Sequence, residues 1–286
     1  MRERTLTWIP VLLGTALLVA AALVACCRYG VHNLFILQQE DLAGKATWED
    51  LGPTPGADEG YTPQGIAWVD GRLVFANSWK DTRSRVYEID PKDMKVLRWF
   101  DMPPEAVHTS GLSWDGAGLW AVDYISNRAY RIDLEASLTD GMAVVLGSFD
   151  TGLGGTSACA VVELEGKSLL AISDFMRTRR TYLVRREEAL ASGNALSAIE
   201  FSYENEGFSQ GLEYAEGNLF ETENKFRSAV VNRLDIRRLR DTGSARESII
   251  RQYPAPERGV EDLVFGDGTM WTSDEQVFRF YRGRLE

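Results

Sequence analysis

A hairpin that recurs along the chain is the feature that most limits how this protein can fold. Each of the five copies has an apolar strand, an acidic residue followed by glycine, and a second apolar strand. Acidic–Gly pairs are typical of tight hairpin turns, because glycine accepts the positive φ that such turns require. The turn glycines are Gly71, Gly116, Gly166, Gly217 and Gly268, separated by 45, 50, 51 and 51 residues.

Further β-rich segments follow each hairpin. A third strand is predicted in "RVYEID", "RAYRID", "RTYLVR", "AVVNRLD" and "QVFRFY", and a fourth in "VLRWFD", "VVLGSFD", "AIEFSYE" and "SIIRQYP". Four strands in roughly 40–50 residues is the period of a β-propeller blade. The repeat therefore predicts an all-β, five-bladed β-propeller.

The last unit has no fourth strand of its own, because the sequence ends at Glu286. The segment "ATWEDLGPTP" (46–55) precedes the first repeat and has the character of such a strand. Pairing of residues near 46–52 with those near 276–282 would close the ring and remove its open edge. Helices are expected to be scarce, with one short helix predicted within 186–199, between the third and fourth strands of the third blade.

The N-terminal segment is a predicted membrane anchor. Residues 8–27 form a strongly apolar run of 20 residues preceded by Arg2 and Arg4; as a helix the run would span about 30 Å. This pattern favours a single-pass transmembrane helix within 1–30, a juxtamembrane linker over 31–45, and the propeller over 46–286. The propeller is then expected on the extracytoplasmic side of a cell membrane.

A second interpretation of the N-terminus stays open. "LVAC" (Leu23–Cys26) is similar to a bacterial lipobox, in which Cys26 would carry lipid after cleavage. Both interpretations tether the propeller to a membrane.

The charge of the chain argues against a nucleic-acid-binding protein, and its cysteine content argues against a disulfide-stabilised one. The chain of 286 residues has a net charge of −11 and no long basic block, so nucleic acid is not an expected partner. It has three cysteines, and Cys159 is alone in the propeller region, so no disulfide is expected there.

Two recurring sets of polar residues mark a candidate site. One set precedes the inner strands: Gln64, Ser110, Ser157, Gln210 and Glu261. The other ends the second strands, at Asn77, Asp123, Ser173, Glu223 and Asp274, followed directly by Ser78, Tyr124, Asp174, Asn224 and Glu275. Antiparallel pairing brings both sets to one face. We therefore expect a channel mouth that binds a small molecule, glycan or protein through Gln64, Ser110, Ser157, Gln210, Tyr124 and Asn224. For each of these residues taken alone, capping of a turn is the alternative explanation.

Carboxylates are concentrated in these sets, at Asp123, Glu223, Glu261 and Asp274. Like charges around one mouth repel unless a cation or proton lies among them. Oxygen ligands suit Ca²⁺, and the predicted calcium ligands are Glu261, Asp123, Asp274 and Asn77. His108 directly precedes the second blade and is either a general base at the mouth or a solvated loop histidine.

The segments "TPQGIAW", "GLWAVDYISNRAYRID" and "GTMWTSDEQVFRF" resemble the extracytoplasmic propellers of the gluconolactonase, paraoxonase and strictosidine-synthase-like superfamily. The resemblance implies a channel Ca²⁺ held by acidic and amide side chains, with lactonase or esterase activity. Glu261 stands where the superfamily's first-strand glutamate is expected. Two features differ: those propellers are commonly six-bladed, and the paired catalytic histidines of paraoxonases have no match.

The segment "FSQGLEYAEGNLFETEN" (208–224) is similar to the "FTQGL…LYESTG" signature of the five-bladed glutaminyl cyclases of plants and bacteria. The matching residues are Phe208, Gln210, Gly211, Leu212 and Glu221. This resemblance implies that Glu221 transfers protons, with Glu223 as the second candidate. The following "ENKFRSA" departs from that family's pattern.

Two classes of function follow from these patterns. The first is a membrane-tethered binding module with its ligand at the channel mouth. The second is an enzyme acting at the same mouth, either a Ca²⁺-dependent lactonase or esterase or a glutaminyl-cyclase-like acyltransferase.

Overall fold

The computed structural model describes residues 42–175, 177–225 and 228–286. In this part of the chain, twenty strands form five antiparallel four-stranded sheets, which confirms the predicted five-bladed propeller. Four blades are continuous in sequence. Blade 1 contains β2 (Thr62–Val69), β3 (Arg72–Trp79), β4 (Arg83–Asp90) and β5 (Lys95–Asp101). Blade 2 contains β6 (Thr109–Trp114), β7 (Leu119–Asp123), β8 (Arg128–Asp133) and β9 (Val144–Asp150).

The remaining blades follow the same order from the channel outwards. Blade 3 contains β10 (Thr156–Leu164), β11 (Lys167–Asp174), β12 (Arg180–Arg185) and β13 (Ile199–Glu204). Blade 4 contains β14 (Phe208–Ala215), β15 (Asn218–Lys225), β16 (Ser228–Asp235) and β17 (Ile249–Pro254). Blade 5 contains β18 (Val260–Gly266), β19 (Thr269–Asp274), β20 (Arg279–Leu285) and the N-terminal strand β1 (Ala46–Pro53).

Strand β1 closes the ring, as the sequence predicts. It pairs with β20 from Ala46 opposite Leu285 to Pro53 opposite Arg279. The residues just before it also pair with the propeller: the Gly44 N–H donates to the Gln252 carbonyl at 2.8 Å. Residues 43–45, at the end of the predicted linker, thus pair with strands of the propeller, while the predicted domain bounds stay a prediction.

The hairpin turns show why an acidic residue precedes each glycine. In the blade 1 turn, Asp70 has φ 48° and Gly71 has φ 81°, and Val69 pairs directly with Arg72. Two left-handed residues in a two-residue loop match the twist of the flanking strands. Blade 2 differs, because its loop over 115–118 is longer and is held by Asp115, whose Oδ1 accepts from the Gly118 N–H at 2.7 Å.

Short helices lie between the third and fourth strands of three blades. They are α1 (Leu134–Asp140), α2 (Arg186–Ser192), α3 (Ile236–Thr242) and α4 (Ala245–Ser248). The predicted helix within 186–199 is confirmed as α2, which is followed by a 3₁₀ turn at Ala195–Ala198. Sequence reasoning missed α1 and α3, although Asp133 and Asp235 accept backbone N–H groups at their N-caps. An aspartate at the start and a glycine just after the end were the available signals.

The apolar core is a ring of five clusters in the described residues, each shared by two neighbouring blades. Each cluster contains residues of both neighbouring blades, for example Val74 with Leu112, Phe149 with Ile172, Leu183 with Leu234, and Phe220 with Leu263. Between blades 1 and 5, Phe280 packs edge-to-face on Phe75 with ring centroids 4.7 Å apart. Burial of this apolar surface holds the blades together. The core therefore lies between the blades, and the central axis is free to carry polar residues.

The predicted membrane anchor over 1–30 and residues 31–41 of the predicted linker lie outside the described residues. Within the part of the chain that is described, no helix is both long and apolar enough to cross a bilayer. Membrane attachment, with the propeller on the extracytoplasmic side, stays a prediction.

Candidate functional site

The inner strands of the five blades line the central channel at equivalent positions. At one end, the predicted set of Gln64, Ser110, Ser157, Gln210 and Glu261 surrounds a cavity of about 160 Å³. His108, Tyr124, Phe175 and Glu275 complete the lining. We call this end, defined by these nine residues, the upper mouth. The structure therefore brings the first polar set together as the repeat predicts.

Glu261 is the buried acidic group of the upper mouth, with 2% of its surface exposed. Its Oε1 accepts a hydrogen bond from Gln210 Nε2 at 2.9 Å. Burial raises its pKa well above the usual range, and the carboxyl groups of Glu275, Asp262 and Asp274 act in the same direction. Burial and Asp274 also raise the pKa of Glu275, whereas nearby His108 lowers it. The mouth thus holds a carboxyl group with a raised proton affinity, a property that is typical of functional carboxyl groups in cavities.

His108 is held on both sides of its ring. Its Nδ1 lies 2.6 Å from Asp81 Oδ1, and its Nε2 lies 3.0 Å from Gln64 Oε1. Because both neighbours are acceptor oxygens, the imidazolium form satisfies both contacts. A neutral ring satisfies both only if the Gln64 carboxamide is turned over.

An aromatic wall borders one side of the upper mouth. The Tyr124 and Phe175 rings are 6.3 Å apart in an edge-to-face arrangement, and Phe175 lies 5.2 Å from Phe208. The backbone of the third blade approaches this wall closely, since a Cβ on Gly155 would lie 2.8 Å from Tyr124 Cε2. The wall offers apolar ring surface to the same cavity that the carboxyl groups line.

Strand pairing changes which residues of the third blade are equivalent to Asp123 and Tyr124 of the second blade. Asp174 pairs with Thr156 as Asp123 pairs with Thr109, so Asp174 is the equivalent of Asp123 and Phe175 that of Tyr124. The sequence alignment, which took Ser173 as the equivalent of Asp123, is wrong by one residue in this blade.

The carboxylates at the ends of the second strands hold loops. Asp123 Oδ2 accepts from the His108 N–H at 2.6 Å, Glu223 Oε1 from the Gly207 N–H at 2.8 Å, and Asp274 Oδ2 from the Gly259 N–H at 2.8 Å. In blade 1, Asn77 Nδ2 donates to the Pro55 carbonyl at 2.8 Å. Each contact ties the end of a second strand to the loop that leads into the inner strand, which positions that blade's contribution to the mouth.

The predicted calcium ligands therefore have different surroundings. Glu261 lines the upper mouth, whereas Asp123, Asp274 and Asn77 do not line it and already bind backbone groups. Among residues 42–286 outside the gaps, no group of three or more His, Cys, Asp or Glu side chains is arranged to hold a metal. Calcium stays a prediction.

The predicted catalytic residues Glu221 and Glu223 lie elsewhere in blade 4. Both are fully buried on β15, and Asn224, the next residue, is partly buried. Burial raises the pKa of Tyr203 in blade 3, with Glu221 as the next contributor, so Glu221 faces the interface between these blades. None of the three lines the upper mouth. Their predicted roles in catalysis and binding stay predictions.

Asp262, the residue after Glu261 on β18, extends its side chain across the channel axis. Asp262 Oδ2 accepts from the N–H groups of Ile66 at 3.1 Å and Leu112 at 3.0 Å, and its Oδ1 accepts from Leu212 at 3.2 Å. Burial raises the pKa of Asp262 to about 8, while these N–H groups oppose the shift by stabilising the ionised form.

Glycine at the same level lets the blades approach Asp262. A Cβ on Gly211 would lie 2.5 Å from the Asp262 Cα, a distance that no side chain tolerates. Asp262 therefore connects blades 1, 2 and 4 to blade 5 and separates the two ends of the channel.

The opposite end of the channel is aromatic. Trp68, Trp114, Val161, Tyr214 and Phe265 occupy one equivalent position in the five inner strands, and they line a cavity of about 100 Å³ together with Ala67, Ser113, Glu213 and Val264. We call this end, defined by these nine residues, the lower mouth. Sequence reasoning missed it, although each member of the aromatic set stands four residues after a member of the first polar set.

Comparison with known proteins identifies the fold. The chain matches no protein-family model, and no curated protein sequence is significantly similar to it. The crystal structure of glutaminyl cyclase from Myxococcus xanthus is similar with a TM-score of 0.61 at 12% identity, covering 85% of this chain and 98% of that one. The PQQ-bound aldose sugar dehydrogenase of Streptomyces coelicolor has a TM-score of 0.45 at 13% identity, covering 84% and 98%. The predicted resemblance to glutaminyl cyclases is confirmed at the level of the fold.

Proposed function

We propose that this protein is a binding propeller whose upper mouth takes one end of a small polar ligand. The ligand presents an ammonium or hydroxyl group to Glu261 and Glu275 and an apolar part to Tyr124 and Phe175. The observation that carries this proposal is Glu261, a buried carboxyl group that faces a cavity and has an amide partner on one oxygen.

The charge of the upper mouth favours a donor-rich ligand. Its lining in the described chain includes two glutamates, one histidine and no lysine or arginine. A carboxyl group in such a cavity loses hydration, which is unfavourable. A ligand ammonium or hydroxyl group offsets this loss by forming a hydrogen bond with the carboxyl group.

The shape of the mouth limits the part of the ligand that enters. A cavity of about 160 Å³ is small compared with the 300–1,000 Å³ of sites for drug-sized ligands. It accommodates a single amino-acid residue or sugar ring, with the rest of the ligand outside. The aromatic wall suits the apolar face of either group.

A binding measurement on the purified full chain tests this proposal. Glucosamine and the peptide Gln-Ala-Ala, which both carry an amine, serve as probes in calorimetric titrations, with glucose as the neutral comparison. We expect an amine probe to bind at least about tenfold more weakly to Glu261→Gln, because the variant loses the carboxyl that accepts the ammonium. Glu247→Gln, the same change at an exposed helix residue, should leave affinity unchanged. Equal affinity of the wild type and Glu261→Gln would contradict the proposal.

A second candidate is a glutaminyl-cyclase-like reaction at the same mouth, with Glu261 in the role that the sequence resemblance gives to Glu221. It is favoured by the pairing of Glu261 with Gln210, a residue of the "FSQGL" segment. In this reaction the α-amine of an N-terminal glutamine attacks its side-chain amide carbon and ammonia leaves. A carboxyl group can take the proton from the amine and give it to the leaving nitrogen.

Mass spectrometry of Gln-Ala-Ala incubated with the full chain tests the second candidate. We expect loss of ammonia from the peptide with the wild type and none with Glu261→Gln, while Glu221→Gln keeps activity. Loss of activity in Glu221→Gln but not in Glu261→Gln would assign proton transfer to Glu221. If the wild type released no ammonia, only the binding function would remain as a proposal.

A further inference from the structure

The lower mouth is an organised cavity that the proposed function does not use. Its aromatic side chains come from four different blades, because Trp68, Trp114, Tyr214 and Phe265 share one position of the repeat. They therefore surround the channel axis instead of forming a patch on one side. All four are partly exposed, which leaves ring surface available to a ligand.

Contacts behind the rings hold these side chains in place. Trp68 packs on Trp271 with ring centroids 5.6 Å apart, and Tyr214 donates its hydroxyl hydrogen to the Glu163 carbonyl at 3.0 Å. Phe265 lies edge-to-face with Phe220 at 4.7 Å. A cavity with prearranged walls loses little conformational entropy when a ligand binds.

One acidic side chain lies among the rings. Glu213 lines the cavity, and its Oε1 lies 3.5 Å from the Phe265 nitrogen, the outer limit of a hydrogen bond. The residues that line the lower mouth in the described chain include no lysine or arginine. A carboxyl group in an aromatic cavity without a basic partner matches a ligand that brings the positive charge itself.

We infer that the lower mouth binds an organic ammonium group, with the rings of Trp68, Trp114, Tyr214 and Phe265 around it and Glu213 as its counter-charge. Aromatic rings attract such cations through their electron-rich faces, tryptophan most strongly, and cages of this kind select quaternary and methylated ammonium groups. A cavity of about 100 Å³ matches a methylated ammonium headgroup and excludes larger ligands.

Two other occupants fit the lower mouth less well. A hard metal ion needs several oxygen ligands, whereas Glu213 is the single carboxylate in this lining. A neutral apolar ligand would cover Glu213 without giving it a partner. An organic cation satisfies both the rings and the carboxyl group.

Titration of the purified full chain with choline tests the inference, and its outcome is independent of the upper mouth. Binding is measured by calorimetry, with dimethylbutanol, in which carbon replaces the choline nitrogen, as the uncharged comparison. We expect one choline per chain and an affinity at least about tenfold higher than that of dimethylbutanol. Trp114→Leu should weaken choline binding by about tenfold, and Trp114→Phe, which keeps a ring, by less.

Control variants distinguish loss of the binding site from loss of the folded structure. Trp99→Leu removes a tryptophan that is 43% exposed on β5 and should bind choline as the wild type does. Glu213→Gln keeps the shape of the side chain, and its affinity for choline should be severalfold lower than that of the wild type. This variant provides the test if Trp114→Leu does not fold. Glu261→Gln should not change choline binding. Equal binding of choline and dimethylbutanol, or wild-type affinity in both Trp114→Leu and Glu213→Gln, would overturn the inference.

Discussion

The two ends of the channel are built from the same five strands and have opposite character. At the upper mouth the inner strands contribute Gln64, Ser110, Ser157, Gln210 and Glu261, and four residues later they contribute Trp68, Trp114, Val161, Tyr214 and Phe265. The backbone repeats at both levels, so only side chains create the difference. In this propeller the repeat determines where the two cavities lie, and the residue at each level determines their chemical character.

A partition between the two mouths allows them to differ. Asp262 accepts backbone hydrogen bonds from Ile66, Leu112 and Leu212 at the level below Glu261. The other blades have Gly65, Gly111, Ala158 and Gly211 at this level, so there is space for only one longer side chain. The proposal of a different ligand for each mouth rests on this partition.

The largest effect is expected on removing the partition. Asp262→Ala takes the acceptor from three buried N–H groups in other blades, at roughly 1–3 kcal/mol for each group left unsatisfied. We expect the free energy of unfolding, measured with urea, to fall by at least about 3 kcal/mol. The control is Asp58→Ala, the same change at an exposed residue, which should change stability by less than about 0.5 kcal/mol. An equal, small effect of both substitutions would show that Asp262 does not hold the blades together.

The fold could be predicted from the sequence because it is repeated. Five hairpins at nearly constant spacing indicated the blades, and the missing fourth strand indicated that β1 would close the ring. Helices α1 and α3 were missed because the strand period carries no signal for the helices between strands. Their caps, Asp133 and Gly141 for α1, were visible in the sequence.

The site could be predicted only where a side chain's role follows from its position. The first polar set converges because equivalent strand positions converge in a ring. The second set shares that geometry, yet Asp123 and Asp274 bind backbone N–H groups of the adjoining loops. Whether a carboxylate faces a cavity or a loop depends on side-chain direction, which a strand pattern does not specify. Asp262 is apparent only once the blades are closed.

An intermediate effect is expected on the pH dependence of stability. In the chain without a ligand, burial raises the pKa of Glu213 from its ordinary 4.5 to about 8, with Asp262 acting in the same direction. The folded chain therefore binds this proton more tightly than the unfolded chain, so this contribution to stability is present below about pH 4.5 and is lost as the pH rises to about 8. A cation bound beside Glu213 would favour the ionised form and lower this pKa.

Glu213→Gln removes this contribution, so its stability should fall less than that of the wild type between about pH 5 and pH 8. Because Gln matches the protonated form of Glu213, we expect the two free energies of unfolding to be similar near pH 4.5 and to diverge on raising the pH, with the wild type losing on the order of 1 kcal/mol per pH unit relative to the variant. Glu261 keeps its own raised pKa in both proteins, so the comparison reports Glu213 together with its electrostatic coupling to Asp262. Parallel pH profiles would contradict the assignment of a raised pKa to Glu213.

The smallest effect is expected from the contact between His108 and Asp81. Asp81 is 58% exposed, so Asp81→Asn should change the free energy of unfolding by less than about 1 kcal/mol. Because His108 also contacts Gln64 and influences Glu275, binding of glucosamine at the upper mouth should change severalfold. Choline binding at the lower mouth should stay the same, and a parallel change at both mouths would mean that they are coupled.

The most direct test of the central claim, that Asp262 divides the channel, is an experimental density map of the channel in the full chain. We expect the Asp262 oxygens within hydrogen-bonding distance of the Ile66, Leu112 and Leu212 nitrogens, with ordered water on either side and none passing between the mouths. An unbroken file of water from Gln64 to Trp114, with the Asp262 side chain turned away from the axis, would contradict it.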